Sequence, residues 1–274
     1  MRHRITDWND AYANGPNIPG GERWPGLWVE PARHYRDVLM DTGRARLDIA
    51  YGPGERNRLD LFLPVGDPVG LVVFVHGGFW LRLDRGYLSH LARGPVEHGY
   101  AVAMPSYALC PDIRISGITA EIGAAISEAS AIVGGPIRLI GHSAGGQLVT
   151  RMISTTSPLA EPVLERIVKT VSLSGLHDLR PLIHTGMNKS LRIDRQEAWR
   201  ESPALLEPLS GVRLTCWVGG AERSEFIRQS ALLANIWKGL GAETDYVEEP
   251  DKHHFTIVDG LADPRHPMVG ALLS

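Results

Sequence analysis

A pentapeptide of the form G-x-S-x-G carries the strongest chemical signal in the chain. It occupies residues 141–145 (GHSAG), between an apolar run that ends at Ile140 and a segment with helical character. A serine in a sharp turn between a strand and a helix is lifted above the edge of its sheet, where the hydroxyl can attack an electrophile. We therefore predict that Ser143 is a nucleophile and that the neighbouring His142 contributes to substrate binding.

A second glycine-containing motif, HGGFW at residues 76–80, follows another apolar run. Adjacent glycines allow backbone N–H groups to turn toward an oxygen that becomes negative during a reaction. We predict an oxyanion hole formed by the N–H groups of Gly77, Gly78 and Ala144. The aromatic residues that follow, Phe79 and Trp80, are expected to contact the substrate.

A serine nucleophile needs a base, and the sequence offers two neighbouring histidines for that role. His253 and His254 lie just after the last predicted strand, in the stretch PDKHHF. This is the place expected for the base when the chain order is serine, acid, histidine. We choose His254, which precedes Phe255, and interpret His253 as a loop residue or a carboxylate partner.

Three carboxylates compete for the role of the acid that orients the histidine. Glu222 lies directly after a predicted strand, in the stretch GGAERSEF, and is our first choice. Glu225 has the position of a first-turn helix residue, which the helix dipole favours. Asp178, in SGLHD after the preceding strand, is the third alternative.

Short β-branched runs bounded by Gly, Pro or Asp predict eight strands that alternate with helical periods. We place them at Arg44–Ala50, Arg58–Leu63, Leu71–His76, Tyr100–Met104, Ile137–Gly141, Lys169–Ser174, Arg213–Val218 and Thr244–Glu248. The run LVVFV is apolar at every position, as in a strand covered on both faces. The pattern predicts an α/β fold with a mostly parallel eight-stranded sheet and helices on both faces. The first two strands are expected to form an antiparallel hairpin.

The first 43 residues differ from the rest because they are rich in tryptophan and proline and show no sustained period. We expect residues 1–43 to wrap around the domain and to act as a partial lid, with one short helix at Ala32–Met40. Residues 44–274 are expected to form a single domain.

Composition excludes several classes of protein. The 274 residues are 43% hydrophobic and 22% charged, as in ordinary globular proteins. Their net charge is −3, whereas nucleic-acid binders carry an excess of basic residues. No run approaches the about 18 apolar residues of a membrane helix, and the first residues do not resemble a signal peptide. Two cysteines provide no disulfide framework. We expect a cytoplasmic protein with a small-molecule substrate, no nucleic-acid or membrane partner, and assembly into a homodimer.

Motifs for bound cofactors are missing from the sequence. Neither a G-x-G-x-x-G fingerprint nor a phosphate-binding G-x-x-x-x-G-K-[ST] loop occurs, and no H-E-x-x-H or C-x-x-C spacing suggests a metal site. We therefore expect chemistry that needs neither a cofactor nor a metal.

Taken together, the motifs resemble those of the α/β-hydrolase superfamily, and more narrowly its arylformamidase (kynurenine formamidase) branch, which is related to hormone-sensitive-lipase-like esterases. The similar stretches span nearly the whole chain in the family's order: AYANG, HGGFW, PSYALCP, GHSAGG, SGLHDLRPL, ESP, VGGAERSEFIRQS and HHF. The resemblance implies an α/β-hydrolase fold, Ser143 as nucleophile and His254 as base. Glu222 stands where the family usually carries aspartate, and Phe79 where many relatives carry tyrosine.

The resemblance implies a serine hydrolase that removes a small acyl group, such as formyl, from an aromatic amine through an acyl-enzyme. A carboxylesterase for small-acyl esters is the alternative, because the same residues would serve it. A third hypothesis, from a different class, is a non-catalytic binding protein with a hydrolase fold.

Overall fold

A computed structural model describes residues 4–274, which form a single eight-stranded sheet with helices on both faces. The order of the strands across the sheet is β1-β2-β4-β3-β5-β6-β7-β8, with β1 and β2 antiparallel to their neighbours and the others parallel. The strands are β1 (Ala45–Ala50), β2 (Arg58–Phe62), β3 (Leu71–Val75), β4 (Ala101–Pro105), β5 (Ile137–His142), β6 (Ile167–Leu173), β7 (Arg213–Gly219) and β8 (Glu243–Glu249).

The predicted fold class is confirmed, and each of the eight predicted strands overlaps one observed strand. The ends coincide or differ by at most two residues, since strand ends fray where turn residues begin. The hairpin of β1 and β2 is antiparallel, as predicted.

Ten helices surround the sheet. They are α1 (Trp8–Ala11), α2 (Trp24–Asp41), α3 (Arg93–Glu97), α4 (Ile115–Ile132), α5 (Ala144–Arg151), α6 (Glu161–Leu164), α7 (Asn188–Leu191), α8 (Arg195–Glu201), α9 (Ser224–Gly239) and α10 (Pro267–Leu273) in the described part of the chain. None of them is both long and apolar enough to cross a membrane.

The core has two layers, one on each side of the sheet. Strand β3 divides its side chains between them: Leu71, Val73 and Val75 enter one layer, whereas Val72 and Phe74 enter the other. Successive side chains of a strand point to opposite faces, so an entirely apolar strand must be covered on both. Helices α4, α5 and α9 cover the first face, and α2, α3 and α10 cover the second.

The N-terminal region contains more helix than the sequence predicted. Helix α2 begins at Trp24, eight residues before the predicted start at Ala32, and Pro31 lies inside it. Pro25 lies in the first turn, where a missing N–H costs nothing. The buried residues Trp28, Ala32 and Leu39 recur at helical spacing, a pattern that the prolines obscured in the sequence.

Strand β5 and helix α5 approach each other very closely at the turn that joins them. A Cβ atom on Gly141 would lie 2.1 Å from the carbonyl oxygen of Gly145, and one on Gly145 would lie 2.0 Å from that of Val75. Both contacts are with backbone, which cannot rotate away. The first and last glycines of the G-x-S-x-G motif are therefore required by packing.

Gly145→Ala is expected to destabilise the protein by about 3 kcal/mol or more, because the added methyl group must displace the backbone of β3. The matched control is Gly270→Ala in α10, where an added Cβ would meet nothing within 4 Å. That change should be neutral or stabilise by up to about 1 kcal/mol, since alanine is the better helix former. Urea denaturation of both variants tests the argument, and equal stabilities would contradict it.

Several buried imidazoles make the stability of the fold depend on pH. Burial lowers the pKa of His76 to about 4 and that of His177 to about 3. Burial also lowers the pKa of His142 well below its usual range. In the unfolded chain these groups titrate near pH 6.5.

Below pH 6.5 the unfolded chain therefore binds more protons than the folded protein, so the free energy of unfolding falls as the pH is lowered. We expect it to be nearly constant above pH 7 and to decrease by roughly 2 kcal/mol or more between pH 7 and pH 5. Urea unfolding at a series of pH values measures this. Equal stability at pH 7 and pH 5 would contradict the assignment of these histidines as neutral in the folded state.

Candidate active site

Ser143 lies at the sharp turn between β5 and α5, with φ 56° and ψ −116°. A non-glycine residue with positive φ is strained, and such strain persists only where the surroundings enforce it. Here the close packing of the two glycines enforces it, and the Ser143 N–H donates to the carbonyl of Leu173 at the end of β6, 2.8 Å away. The turn thus has the geometry of a nucleophile elbow.

His254 and Glu222 are hydrogen-bonded to each other in the interior. Nδ1 of His254 donates to Oε2 of Glu222 over 2.6 Å, and both side chains are almost fully buried. They belong to the loops that follow β8 and β7, two parallel strands that end side by side. Because Nδ1 is taken by the carboxylate, Nε2 is the ring nitrogen available to a serine hydroxyl, and Ser143 and His254 border the same cavity.

The second oxygen of the Glu222 carboxylate is hydrogen-bonded as well. Oε1 accepts hydrogen bonds from the Ser174 hydroxyl and from the N–H of Gly219, the latter at 2.9 Å. Ser174 follows β6 with φ 51°. Sequence reasoning did not single out Ser174, although its place at the end of a parallel strand, next to the strand that precedes the acid, was a usable signal.

The two alternative acids form ion pairs with arginines and do not bond His254. Glu225 forms a bidentate ion pair with Arg228 and accepts a hydrogen bond from the Tyr12 hydroxyl. Asp178 pairs in a bidentate manner with Arg180. Among the three carboxylates, Glu222 is the one that bonds His254.

His142, which we expected to bind substrate, packs against the candidate base. Its Nε2 donates to the backbone carbonyl of His254 over 2.9 Å, and the two ring centroids are 4.6 Å apart. A carbonyl oxygen only accepts, so Nε2 carries the proton, and burial lowers the pKa of His142 so that the ring stays neutral. The residue borders the cavity, but its contacts position the loop of His254.

The neighbouring His253 is half-buried and takes no part in this arrangement. Its ring lies edge-on against Trp24, with 5.2 Å between ring centroids, and its Nδ1 accepts from backbone N–H groups of its own loop. This agrees with its interpretation as a loop residue.

The glycine loop after β3 presents its backbone toward the elbow. A Cβ on Gly77 would lie 2.9 Å from Cβ of Ser143. Within residues 4–274, the N–H groups of Gly77, Gly78 and Ala144 donate to no protein acceptor. Free backbone N–H groups at the start of a helix and in a glycine turn can donate hydrogen bonds to an oxyanion and stabilise it.

The stacked rings of His76 and Tyr107 support this loop. His76 lies 4.2 Å from Tyr107, measured between ring centroids, and its Nδ1 bonds the carbonyl of Gly77. The Tyr107 hydroxyl donates to the carbonyl of His76 over 2.9 Å. These bonds hold the carbonyl groups of His76 and Gly77 in fixed positions and so fix the backbone of the loop.

The two aromatic residues of the loop have different surroundings. Phe79 borders the cavity, with its ring edge-on to Phe226. The expectation that Trp80 contacts the substrate is wrong: its side chain is fully buried outside the cavity lining, and its indole N–H donates to Gln147 of α5. Left-handed backbone at both residues (φ 54° and 58°) turns the second ring inward.

The cavity in front of Ser143 has a volume of about 520 Å³, within the usual range for small-molecule sites. One wall comes from the N-terminal region between residues 12 and 28, and the opposite wall from residues 78–83. The N-terminal wall is anchored to both candidate catalytic loops. Arg223, next to Glu222, pairs with Asp10, and Phe255, next to His254, packs edge-on against Trp28.

Comparison with known proteins gives a consistent result. Residues 72–270 match the Alpha/beta hydrolase family. The chain is 28% identical to a kynurenine formamidase of Danio rerio and 29% identical to that of Salmo salar, in each case over 88% of this chain and 87% of the relative. The crystal structure of a "putative thioesterase" from Silicibacter sp. TM1040 superimposes with a TM-score of 0.93 at 46% identity, covering 98% of this chain and 99% of that one.

The family match covers well over half of the chain, and the sheet, the elbow and the order of the candidate residues agree with it. The chain is a hydrolase that belongs to the α/β hydrolase family, on the branch that resembles the arylformamidases.

Proposed function

We propose that the protein hydrolyses a small acyl group, formyl in particular, from an aromatic amine such as N-formylkynurenine, using Ser143, His254 and Glu222 as a triad. The observation that carries the proposal is the hydrogen bond between Glu222 and His254 beside a serine held in a strained elbow. The formamide substrate is supported by the kynurenine formamidases that are similar along 88% of the chain.

The proposed reaction begins with proton transfer. His254 Nε2 takes the proton of Ser143 as Oγ attacks the formyl carbon, and Glu222 stabilises the imidazolium that forms. The N–H groups of Gly77, Gly78 and Ala144 bind the oxyanion of the tetrahedral intermediate. Each such donor is worth on the order of 10²–10³ in rate.

Collapse of the intermediate releases the amine. The C–N bond breaks as His254 returns its proton to the leaving nitrogen, and the formyl group remains as an ester on Ser143. Water, deprotonated by the same imidazole, then attacks that ester and releases formate. A buried Glu222 keeps the histidine in the tautomer that both half-reactions need.

Hydrolysis of small-acyl esters or thioesters is the second candidate. It is favoured by the 46% identity to a protein called a "putative thioesterase". The same nucleophile, base and oxyanion donors would serve it, since an ester differs from a formamide mainly in its better leaving group.

We place either reaction in the cytoplasm, in keeping with the buried, unpaired thiols of Cys110 and Cys216.

The decisive comparison is kcat/KM for N-formyl-L-kynurenine, p-nitrophenyl acetate and S-acetyl-N-acetylcysteamine, measured side by side on the purified protein. The proposal predicts that the formamide is hydrolysed with the highest kcat/KM, although esters are intrinsically more reactive. Ser143→Ala should lower kcat on every substrate by about 10⁴-fold or more without loss of thermal stability. Negligible deformylation with efficient ester or thioester hydrolysis would replace the first candidate by the second.

The role of Glu222 is tested by a matched pair of substitutions. Glu222→Gln is expected to lower kcat by about 10²–10⁴-fold, because the amide no longer stabilises the charged imidazolium and can favour the wrong tautomer. Glu225→Gln removes a buried carboxylate that lies in the first turn of α9, three residues after Glu222, and is bonded to Arg228 instead of His254. It should cost stability and leave kcat within about threefold of the wild type.

Thermal unfolding of both variants separates the two effects, since a general loss of stability would affect them alike. A larger loss of kcat in Glu225→Gln than in Glu222→Gln would make the assignment of the acid wrong.

A further inference from the structure

The charged, amide, hydroxyl and imidazole side chains that border the cavity fall into two groups. One group serves the candidate triad and its surroundings: Ser143, His254, His142 and Tyr12. The other consists of Asn14, Glu22 and Arg82. None of these three side chains forms a hydrogen bond or an ion pair with another residue in the described range 4–274.

Asn14 is the most informative of the three. Its side chain is only 4% exposed, yet neither the amide oxygen nor the amide nitrogen has a hydrogen-bond partner. Unpaired buried polar groups are rare in folded proteins and are costly to maintain. A carboxamide offers one acceptor and two donors, so a complementary occupant of the cavity carries a donor and an acceptor of its own.

The two other residues add opposite charges at the same cavity. Arg82 lies in the loop after the oxyanion motif, and Glu22 lies in the N-terminal wall, and both are exposed to solvent. A guanidinium recognises a carboxylate through two parallel hydrogen bonds, and a carboxylate recognises an ammonium group. An α-amino acid carries both groups on one carbon.

We propose that Asn14, Glu22 and Arg82 form a subsite for the charged α-amino-acid head of the substrate. Arg82 binds the carboxylate, Glu22 binds the ammonium group, and Asn14 hydrogen-bonds the head from the buried side. The aromatic ring then lies along the apolar lining that includes Phe79 and Phe255, with its formamide at the elbow. This inference rests on the proposed function, because it assigns the part of an arylformamide substrate that the triad does not touch.

The subsite makes the N-terminal segment part of substrate recognition. Two of its three side chains come from residues 14 and 22, and the segment is tied to the loop of Glu222 through the pair of Arg223 and Asp10. The protein therefore selects its substrate with a region that precedes the first strand.

The first test compares two formamides, N-formyl-L-kynurenine and 2′-formamidoacetophenone, which has the same ring and formamide but no amino-acid head. The ratio of their kcat/KM values should fall about tenfold or more in Arg82→Met, with most of the change in KM, and less steeply in Glu22→Gln. Arg46→Met and Glu55→Gln are matched controls, because both side chains are exposed outside the cavity. An unchanged ratio in Arg82→Met would overturn the proposal.

The second test does not depend on any catalysis. Calorimetric titration of the wild-type protein with L-kynurenine should show binding that weakens about tenfold or more in Arg82→Met and is unchanged in Arg46→Met. If this holds while the protein fails to hydrolyse formamides, the subsite stands and the proposed function fails. Absence of L-kynurenine binding to the wild type would overturn the subsite, whichever acyl group the protein removes.

Asn14→Leu separates recognition from packing. Replacing an unpaired buried amide by an apolar side chain of similar size should preserve or raise the melting temperature. The same change should weaken L-kynurenine binding severalfold. A lower melting temperature with unchanged L-kynurenine binding would show that Asn14 has a structural role only.

Discussion

Strands β7 and β8 run parallel and end side by side, and the loops that follow them carry Glu222 and His254. The hydrogen bond between these side chains depends on that register, because a shift of one residue would reverse the faces to which the strand residues point. The carboxylate cannot adjust to a different partner, since Ser174 and the N–H of Gly219 hold its other oxygen. The ends of three neighbouring strands thus fix the orientation of one imidazole.

The elbow of Ser143 is fixed by a separate constraint, the backbone contact between β5 and α5. The two constraints meet at His142, which belongs to β5 and donates a hydrogen bond to the backbone of His254. Because burial lowers the pKa of His142, its ring is a neutral donor near neutral pH. The serine side and the histidine side of the candidate site are therefore one connected unit.

The sequence predicted the sheet well because each strand is marked by local chemistry, namely β-branched runs ended by Gly, Pro or Asp. It also named Ser143 and His254, which border one cavity, and Glu222, which hydrogen-bonds His254 from behind. The choice of Glu222 over Glu225 was open in the sequence, since both follow β7 within six residues and only the tertiary hydrogen bond to His254 identifies Glu222.

Other features depended on packing that no local pattern records. Helix α2 was predicted too short because Pro31 lies among its buried residues and hides their helical spacing in the sequence. Trp80 was expected at the substrate, but the left-handed backbone of its loop buries it against α5. The unpaired amide of Asn14 becomes visible only when its surroundings are known. Whether the N-terminal wall opens as a lid stays a prediction.

The central claim is that Ser143 is a nucleophile activated by His254. Its most direct test is covalent labelling with a fluorophosphonate, followed by mass spectrometry of the digested protein. We expect a single adduct on Ser143, formed at a rate that falls by orders of magnitude in His254→Gln. Labelling of another residue, or labelling of Ser143 at an unchanged rate in His254→Gln, would contradict it.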